Sequence, residues 1–146
     1  MVAFRNILVP VDFSDHSARA LDAAVELAKQ FQGKLHLIHS YPLPPVLLAP
    51  YEVSLPLDLE RSVRQGADKQ LGEWAARVRK AGVAVETTTT AEAPADAIVN
   101  CARKIGADLI VMGTQGLTGL KHLLLGSVAE RTLRLAPCPV LTLKAG

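Results

Sequence analysis

The residues that decide the fold are Ala107-Asp108-Leu109-Ile110-Val111-Met112-Gly113-Thr114-Gln115-Gly116. The first six form a short apolar run that is typical of a buried strand. After nine intervening residues, Gly126-Ser127 begins a helical pattern. Glycines let backbone N–H groups approach an anion, and a helix N-terminus adds unpaired donors and partial positive charge. A strand, a glycine-rich loop and a helix start therefore predict a site for a phosphorylated ligand, with a nucleotide as the expected class.

The bulk composition limits the possible classes of protein. A length of 146 residues suits one domain, 1–146, with one core. The net charge is +2 and the basic residues are scattered, so no nucleic-acid-binding surface is predicted. No apolar run approaches the ~18 residues of a membrane span, and the N-terminus has no secretory pattern. Cys101 and Cys138 lack metal or redox spacing and are expected to be buried thiols, so we predict a cytoplasmic protein.

Strand and helix patterns alternate along the chain. The first helix is expected to have Ser14 as N-cap and to stop at Gly33. The second is expected to bury an apolar face made of Val63, Ala67, Leu71, Trp74 and Val78. The alternation predicts an α/β fold, a single open, mostly parallel five-stranded sheet with helices on both faces. The predicted strands are 7–11, 34–41, 83–89, 107–112 and 140–144, and the predicted helices are 15–32, 57–81, 94–105 and 127–135.

Residues 42–57 interrupt this alternation. They hold five of the nine prolines together with several apolar side chains. That proline density excludes a regular helix or a central strand. Two interpretations stay open: a lid or partner surface, and an irregular crossover packed on the core.

Two loops carry chemistry suited to a ligand. In an open parallel sheet, ligands bind beyond the carboxyl ends of the strands, where the strand order reverses. The loop 10–14 leaves the first strand and the loop 113–127 leaves the fourth, so they would flank one crevice if these strands are neighbours. The second loop is neither a Walker A motif, because Lys121 is misplaced for it, nor a Gly-x-Gly-x-x-Gly fingerprint. From spacing alone, glycines that serve only turns and packing are an equally good interpretation.

Together, these motifs resemble the universal stress protein family in its ATP-binding branch. Gly113-x2-Gly116-x9-Gly126-Ser127 is similar to the nucleotide loop of that family, and Pro10-x-Asp12-x-Ser14-x-x-Ser17 resembles its opening strand and helix start. His39 and the segment 137–141 resemble it as well. The likeness spans essentially the whole chain, and it implies the Rossmann-like, adenine nucleotide alpha-hydrolase-like form of the α/β fold.

The resemblance also implies which residues contact the nucleotide. The second loop would surround the phosphates and ribose, with backbone N–H groups at its helix end. The first loop would form the floor of the site and place a carboxylate beside the adenosine. The end of the second strand would contact adenine through its backbone. The implied nucleotide-binding residues are Pro10, Val11, Asp12, Ser40, Met112, Gly113, Gln115, Gly116, Gly126, Ser127 and Val128.

The implied ligand is ATP or another adenine nucleotide. A Mg²⁺ ion would be held mainly by phosphates and water, with Asp12 as an indirect contact. No catalytic base can be named, so a regulatory stress-response protein is expected rather than an enzyme. Two alternatives stay open: a homodimeric interaction module with a degenerate nucleotide site, and a slow ATPase. In the family the last strand pairs across a two-fold axis, so the resemblance implies a homodimer through Val140 to Lys144; a further protein partner is left open.

Overall fold

The computed structural model describes residues 2–41, 57–115 and 125–144. The ends of the elements lie within two residues of the predicted ends. Of the proline-rich stretch 42–57, only Leu57 is described, so both interpretations of that stretch stay predictions. The strands are β1 (Asn6–Pro10), β2 (Lys34–Ser40), β3 (Val85–Thr90), β4 (Leu109–Gly113) and β5 (Val140–Leu143), and the helices are α1 (Asp15–Phe31), α2 (Leu57–Lys80), α3 (Pro94–Ile105) and α4 (Ser127–Leu135).

The five strands form one parallel sheet in the order β3-β2-β1-β4-β5. The order therefore reverses between β1 and β4. Helices α1 and α2 pack on one face, against Ile7 and Val9 of β1, while α3 and α4 pack on the other, against Leu8. The predicted open α/β architecture is confirmed, and its central strand β1 is buried on both faces.

Asp108 fastens the amino ends of β1 and β4 together. Its carboxylate accepts hydrogen bonds from the backbone N–H of Arg5 at 3.0 Å and of Asn6 at 3.1 Å. The Asn6 side chain in turn donates to the Ile105 carbonyl at 2.6 Å. The sequence did not indicate this clamp, because an aspartate before a strand is also an ordinary turn residue.

The end of α1 differs from the prediction. Ser14 is the N-cap, and its side chain accepts from the Ser17 N–H at 3.2 Å, as expected. At the C-terminus, however, Gln32 takes the left-handed conformation, with φ of 54°. Gly33 is needed for a different reason: a Cβ there would lie 2.8 Å from the Phe4 carbonyl oxygen. Gly33 thus permits close approach of two backbone segments, which is a tertiary constraint.

The predicted apolar face of α2 is wrong at its first position. Val63 is 40% exposed, whereas Ala67, Leu71 and Val78 are buried. A helix of 24 residues is about 36 Å long. The neighbouring β3 has six residues and spans only about 20 Å. The first turns of α2 therefore extend past β3, and in the described part of the chain Val63 is not among the residues that form the core.

The cysteines and the hydropathy pattern gave two further predictions. Cys101 is buried as expected, whereas Cys138 is only partly buried. Burial raises the pKa of both thiols, so both favour the protonated form. Among the described residues, no helix is both long enough and apolar enough to cross a membrane.

His36 is a buried titratable group far from the loops that carry the candidate chemistry. It is 8% exposed, and its Nε2 lies 2.7 Å from the Thr88 hydroxyl. Burial lowers the pKa of His36 below 6.5, although Glu86, with a carboxylate oxygen 3.7 Å from Nδ1, acts in the opposite direction. The neutral imidazole is therefore the form that the fold accommodates.

We expect Asp108→Ala to lower the free energy of unfolding by about 1–3 kcal/mol, because the N–H groups of Arg5 and Asn6 lose their acceptor. Urea denaturation measures this loss. The matched control is Asp68→Ala on exposed α2, where Asp68 accepts only from the Thr89 hydroxyl. A loss no larger for Asp108→Ala than for Asp68→Ala would contradict the clamp.

We expect the free energy of unfolding to fall as the pH drops through about 6.5, the pKa of unfolded histidine. The pKa of His36 is lower in the folded state, so the unfolded chain takes up the proton first and gains stability relative to the folded chain. Unfolding free energies measured between about pH 7.5 and pH 5 test this. His36→Gln, which keeps a hydrogen-bonding group but does not titrate, should flatten the profile; an unchanged profile would contradict the assignment to His36.

Candidate functional site

The strand order reverses at the carboxyl ends of β1 and β4, and an open parallel sheet is expected to form a crevice at that position. The β1–β4 ladder ends with the pair Leu8 and Ile110. In contrast, β1 stays paired with β2 as far as Pro10, and β4 stays paired with β5 as far as Gly113. The hydrogen-bonded ladder between the two central strands therefore ends before the ladder that joins each of them to its outer neighbour. This position is where open parallel sheets bind ligands.

The outer ladders continue beyond the strand ends. The N–H of Val11 donates to the Ile38 carbonyl of β2 at 2.9 Å. The N–H of Thr114 donates to the Leu143 carbonyl of β5 at 3.1 Å. Each outer ladder thus continues one residue beyond the end of its strand, with Val11 bonded towards β2 and Thr114 towards β5.

Pro10 explains why the central ladder stops. Along a parallel strand, successive residues direct their N–H groups alternately towards the two neighbouring strands. Because the N–H of Val11 bonds to β2, position 10 is the one that would donate to β4. Proline has no N–H, so the rung that would follow the pair Leu8 and Ile110 has no donor. A proline is compatible with a central strand at this position because no rung of the β1–β4 ladder is formed there.

The first loop holds the Asp12 carboxylate in a fixed turn. Asp12 Oδ1 accepts the Ser14 N–H at 3.0 Å and also a short bond from the Ser14 hydroxyl. The Ser14 hydroxyl oxygen accepts from Ser17 N–H, so the carboxylate is linked to the first turn of α1. Asp12 is therefore a turn residue whose side chain accepts from the backbone two residues further on. The same bonds fix a half-buried acidic group at the edge of the crevice.

His39 supports this loop from β2. Its Nδ1 lies 2.8 Å from the Val11 carbonyl oxygen. A carbonyl can only accept, so Nδ1 carries the proton and donates. The ring also packs on Phe13 with centroids 4.4 Å apart. His39 is thus a packed strand residue, and its bond to the Val11 carbonyl holds the backbone directly before Asp12.

The glycines of the second loop are explained by close backbone contacts. A Cβ at Gly113 would lie 3.0 Å from His16 Cβ, because the first turn of α1 lies against the end of β4. A Cβ at Gly126 would lie 3.0 Å from the Thr114 carbonyl oxygen, which accepts the Gly126 N–H at 2.6 Å. Packing alone therefore accounts for both glycines. The same contacts place the start of α4 beside the end of β4.

The N-terminus of α4 offers backbone donors at this position. Its N-cap is Gly126, in extended conformation with φ of −71° and no side-chain cap bond. The first N–H groups of a helix have no partner within the helix, and here the cap residue has no side chain to accept them. Ser127 is exposed and Val128 half-buried. The arrangement can bind an anion through backbone N–H groups and the Ser127 hydroxyl.

The remaining predicted site residues differ in how accessible they are. Met112 is 5% exposed and packs in the core between β4 and the α3–α4 face, so little of its surface could contact a base. Val11 is 4% exposed, while Pro10 and Gln115 are half-buried. Gly116 lies outside the described residues, so the prediction for it stays a prediction.

Ser40 ends β2 on the side of the first loop. The N–H of the next residue, Tyr41, donates to the Thr90 carbonyl on β3 at 2.9 Å. By the alternation of a parallel strand, the backbone N–H of Ser40 therefore points towards the β1 side. This geometry fits the predicted contact through backbone groups. Within the described ranges, no group of three or more His, Cys, Asp or Glu residues could hold a metal ion.

Comparison with known proteins gives a consistent relationship. The model of the universal stress protein family matches residues 3–144. Universal stress protein MJ0531 of Methanocaldococcus jannaschii is 39% identical over 97% of this chain and 82% of its own length. Among solved structures, MJ0577, whose biochemical function was assigned from its structure, is 26% identical with a TM-score of 0.89 over 99% of both chains. A universal stress protein in complex with cAMP is 29% identical, with a TM-score of 0.64 over 97% of this chain and 98% of its own.

We expect Pro10→Ala to extend the β1–β4 ladder by one rung, because alanine restores the N–H that points towards β4. Amide hydrogen exchange of the new residue-10 N–H measures this. Protection similar to that of neighbouring strand amides is the expected result. Exchange as fast as in an exposed loop would show that something other than the missing donor separates the strands.

Proposed function

We propose that this chain, which belongs to the universal stress protein family, binds ATP or another adenine nucleotide. The proposed site is the crevice between β1 and β4. In this proposal it acts in the cytoplasm as a regulatory protein of the stress response. The observation that supports it most is the start of α4, where the N-cap Gly126 lies beside the end of β4 and has no side chain to cap the first N–H groups. A crevice of this kind suits the phosphates, and Asp12 on its other side suits a ribose hydroxyl.

The choice of an adenine nucleotide has independent support. A universal stress protein 29% identical to this chain was solved with cAMP. In our proposal Pro10, Val11 and the backbone of Ser40 lie beside the adenosine, and Gly113, Gly126, Ser127 and Val128 lie around the phosphates. Gln115, Gly116 and part of Met112 complete the site.

We further propose that the nucleotide is bound without efficient turnover. Phosphoryl transfer requires a group that positions water and positive charge on the transferring phosphoryl group. In the part of the chain that the structure describes, the crevice contributes Asp12, whose Oδ1 is engaged by Ser14, and backbone donors. A Mg²⁺ ion would be held mainly by the phosphates and water. A slow ATPase remains the enzymatic alternative.

The proposed assembly is a homodimer through Val140 to Lys144. In the described sheet, β5 is an edge strand, and Leu141 on it is exposed. Leu133 and Leu135 of the adjacent α4 are exposed as well. An apolar edge strand favours pairing with another strand, and an isologous contact across a two-fold axis is the expected form of that pairing.

We expect ATP with Mg²⁺ at ~100 times Kd to stabilise the protein by about 2.7 kcal/mol. At about 2–4 °C per kcal/mol for a domain of this size, the midpoint of thermal unfolding should rise visibly. Nucleotide released by denaturing the purified protein gives a second, independent readout. No shift in millimolar ATP, together with no released nucleotide, would contradict the proposal.

The same measurement with Ser127→Ala tests the phosphate site. Loss of a hydrogen bond to a charged group costs about 1.5–3 kcal/mol, so the affinity should fall roughly tenfold or more. Ser62→Ala on the exposed part of α2 is the matched control and should bind like the unchanged protein. Equal affinities for the two variants would show that the Ser127 hydroxyl does not contact phosphate.

A further inference from the structure

Phe13 has an unusual backbone conformation at the centre of the first loop. Its φ is 65°, in the left-handed region, and it directly follows Asp12. This region is unfavourable for a residue with a large side chain, because Cβ approaches the following carbonyl. Glycine would adopt it without penalty. Other contacts must therefore hold residue 13 in place.

Those contacts are made by two rings from different elements. The Phe13 ring packs on His39 of β2 at a centroid distance of 4.4 Å. It also meets Trp74 of α2 edge-on, with centroids 5.4 Å apart and planes inclined at 69°. The Arg77 guanidinium lies over the Trp74 ring at 5.6 Å, a cation–π distance. Together His39, Phe13, Trp74 and Arg77 form an aromatic cluster that joins the loop to α2.

We propose that Trp74 and His39 are positioning residues for the ligand site. By holding the Phe13 ring, they keep residue 13 in the left-handed conformation and so set the direction of the Asp12 carboxylate. His39 acts twice, since it also bonds to the Val11 carbonyl on the other side of Asp12. Any effect on affinity rests on the proposed nucleotide function, whereas the effect on the loop itself does not.

The proposal makes α2 part of the site although it lies outside the crevice. If the ring contacts are lost, residue 13 relaxes to negative φ, and the bonds from Ser14 to the Asp12 carboxylate are lost with the turn. The competent loop then becomes a minor conformation. A competent fraction of about one tenth weakens the apparent affinity about tenfold.

The first test compares Phe13→Gly with Phe13→Ala. Both remove the ring, but only glycine adopts φ of 65° without penalty. Binding of ATP, measured by calorimetry, should therefore be weakest in Phe13→Ala and intermediate in Phe13→Gly. A residue that served only for packing would give the reverse order, because glycine removes more packing and adds chain entropy; that result would overturn the proposal.

The second test changes the helix, and one of its two readouts needs no nucleotide. In Trp74→Leu the Ser14 N–H, which bonds to Asp12, should exchange with solvent at least about tenfold faster, and ATP affinity should fall about tenfold. Trp74→Phe, which retains an aromatic edge, should restore most of both. Val78→Ala is the control, since it also removes buried volume from α2 but leaves the ring contacts intact; it should lower the unfolding temperature without changing either readout.

The outcomes separate the two proposals. If the unchanged protein binds no ATP, the proposed function fails, and the Ser14 exchange rate in Trp74→Leu still decides the positioning role. If the protein binds ATP, and Trp74→Leu leaves both the Ser14 exchange and the affinity unchanged, the positioning role is overturned and the proposed function stands. A Val78→Ala variant that matched Trp74→Leu in both readouts would also overturn it.

Discussion

Pro10 has no N–H, and this missing donor ends the hydrogen-bonded ladder between the two central strands of the sheet. Hydrogen bonding along β1 alternates between β2 and β4, and the proline falls on the β4 side. The outer ladders continue, whereas the central ladder ends where the strand order reverses. The loops that follow β1 and β4 begin at this position, so the candidate site lies there.

At the first loop, the conformational cost of Phe13 and the stabilisation from its ring contacts are of similar size. A non-glycine residue in the left-handed region costs about 1–3 kcal/mol. An aromatic pair contributes about 0.5–1.5 kcal/mol beyond burial, and Phe13 forms two ring contacts. The two terms are of similar size, and the loop is held by these ring contacts together with the bonds from Ser14 to Asp12 and from His39 to the Val11 carbonyl. The amino end of the sheet is different, since Asp108 bonds to the backbone of β1 without any unusual conformation.

The order and ends of the elements could be predicted because periodicity and caps are local signals. Pro94 at the first turn of α3 and Ser14 at the start of α1 are examples. The failures have long-range causes. Whether Val63 is covered depends on the length of a neighbouring strand, and the need for Gly33 depends on the approach of Phe4, which is distant in sequence.

The candidate site shows the same division. Its loops could be located because glycines, a proline and a helix start mark them. The roles of Phe13, Trp74 and His39 could not, because an aromatic contact between residues 61 positions apart leaves no local pattern. Met112 was assigned to the site by the family resemblance; its side chain packs mostly in the core, and its contact with a ligand stays a prediction.

The two ends of the central strand pair have separate tasks, and this has an evolutionary consequence. Cohesion between β1 and β4 is concentrated at the amino edge, around Asp108 and Asn6, whereas the groups suited to a ligand lie at the carboxyl edge. Under the proposed function, substitutions around Ser127 or Gln115 would change ligand preference while the fastening at the opposite edge kept the fold above its stability threshold. A fold arranged in this way can diversify its ligands within one lineage without first acquiring compensating mutations in its core.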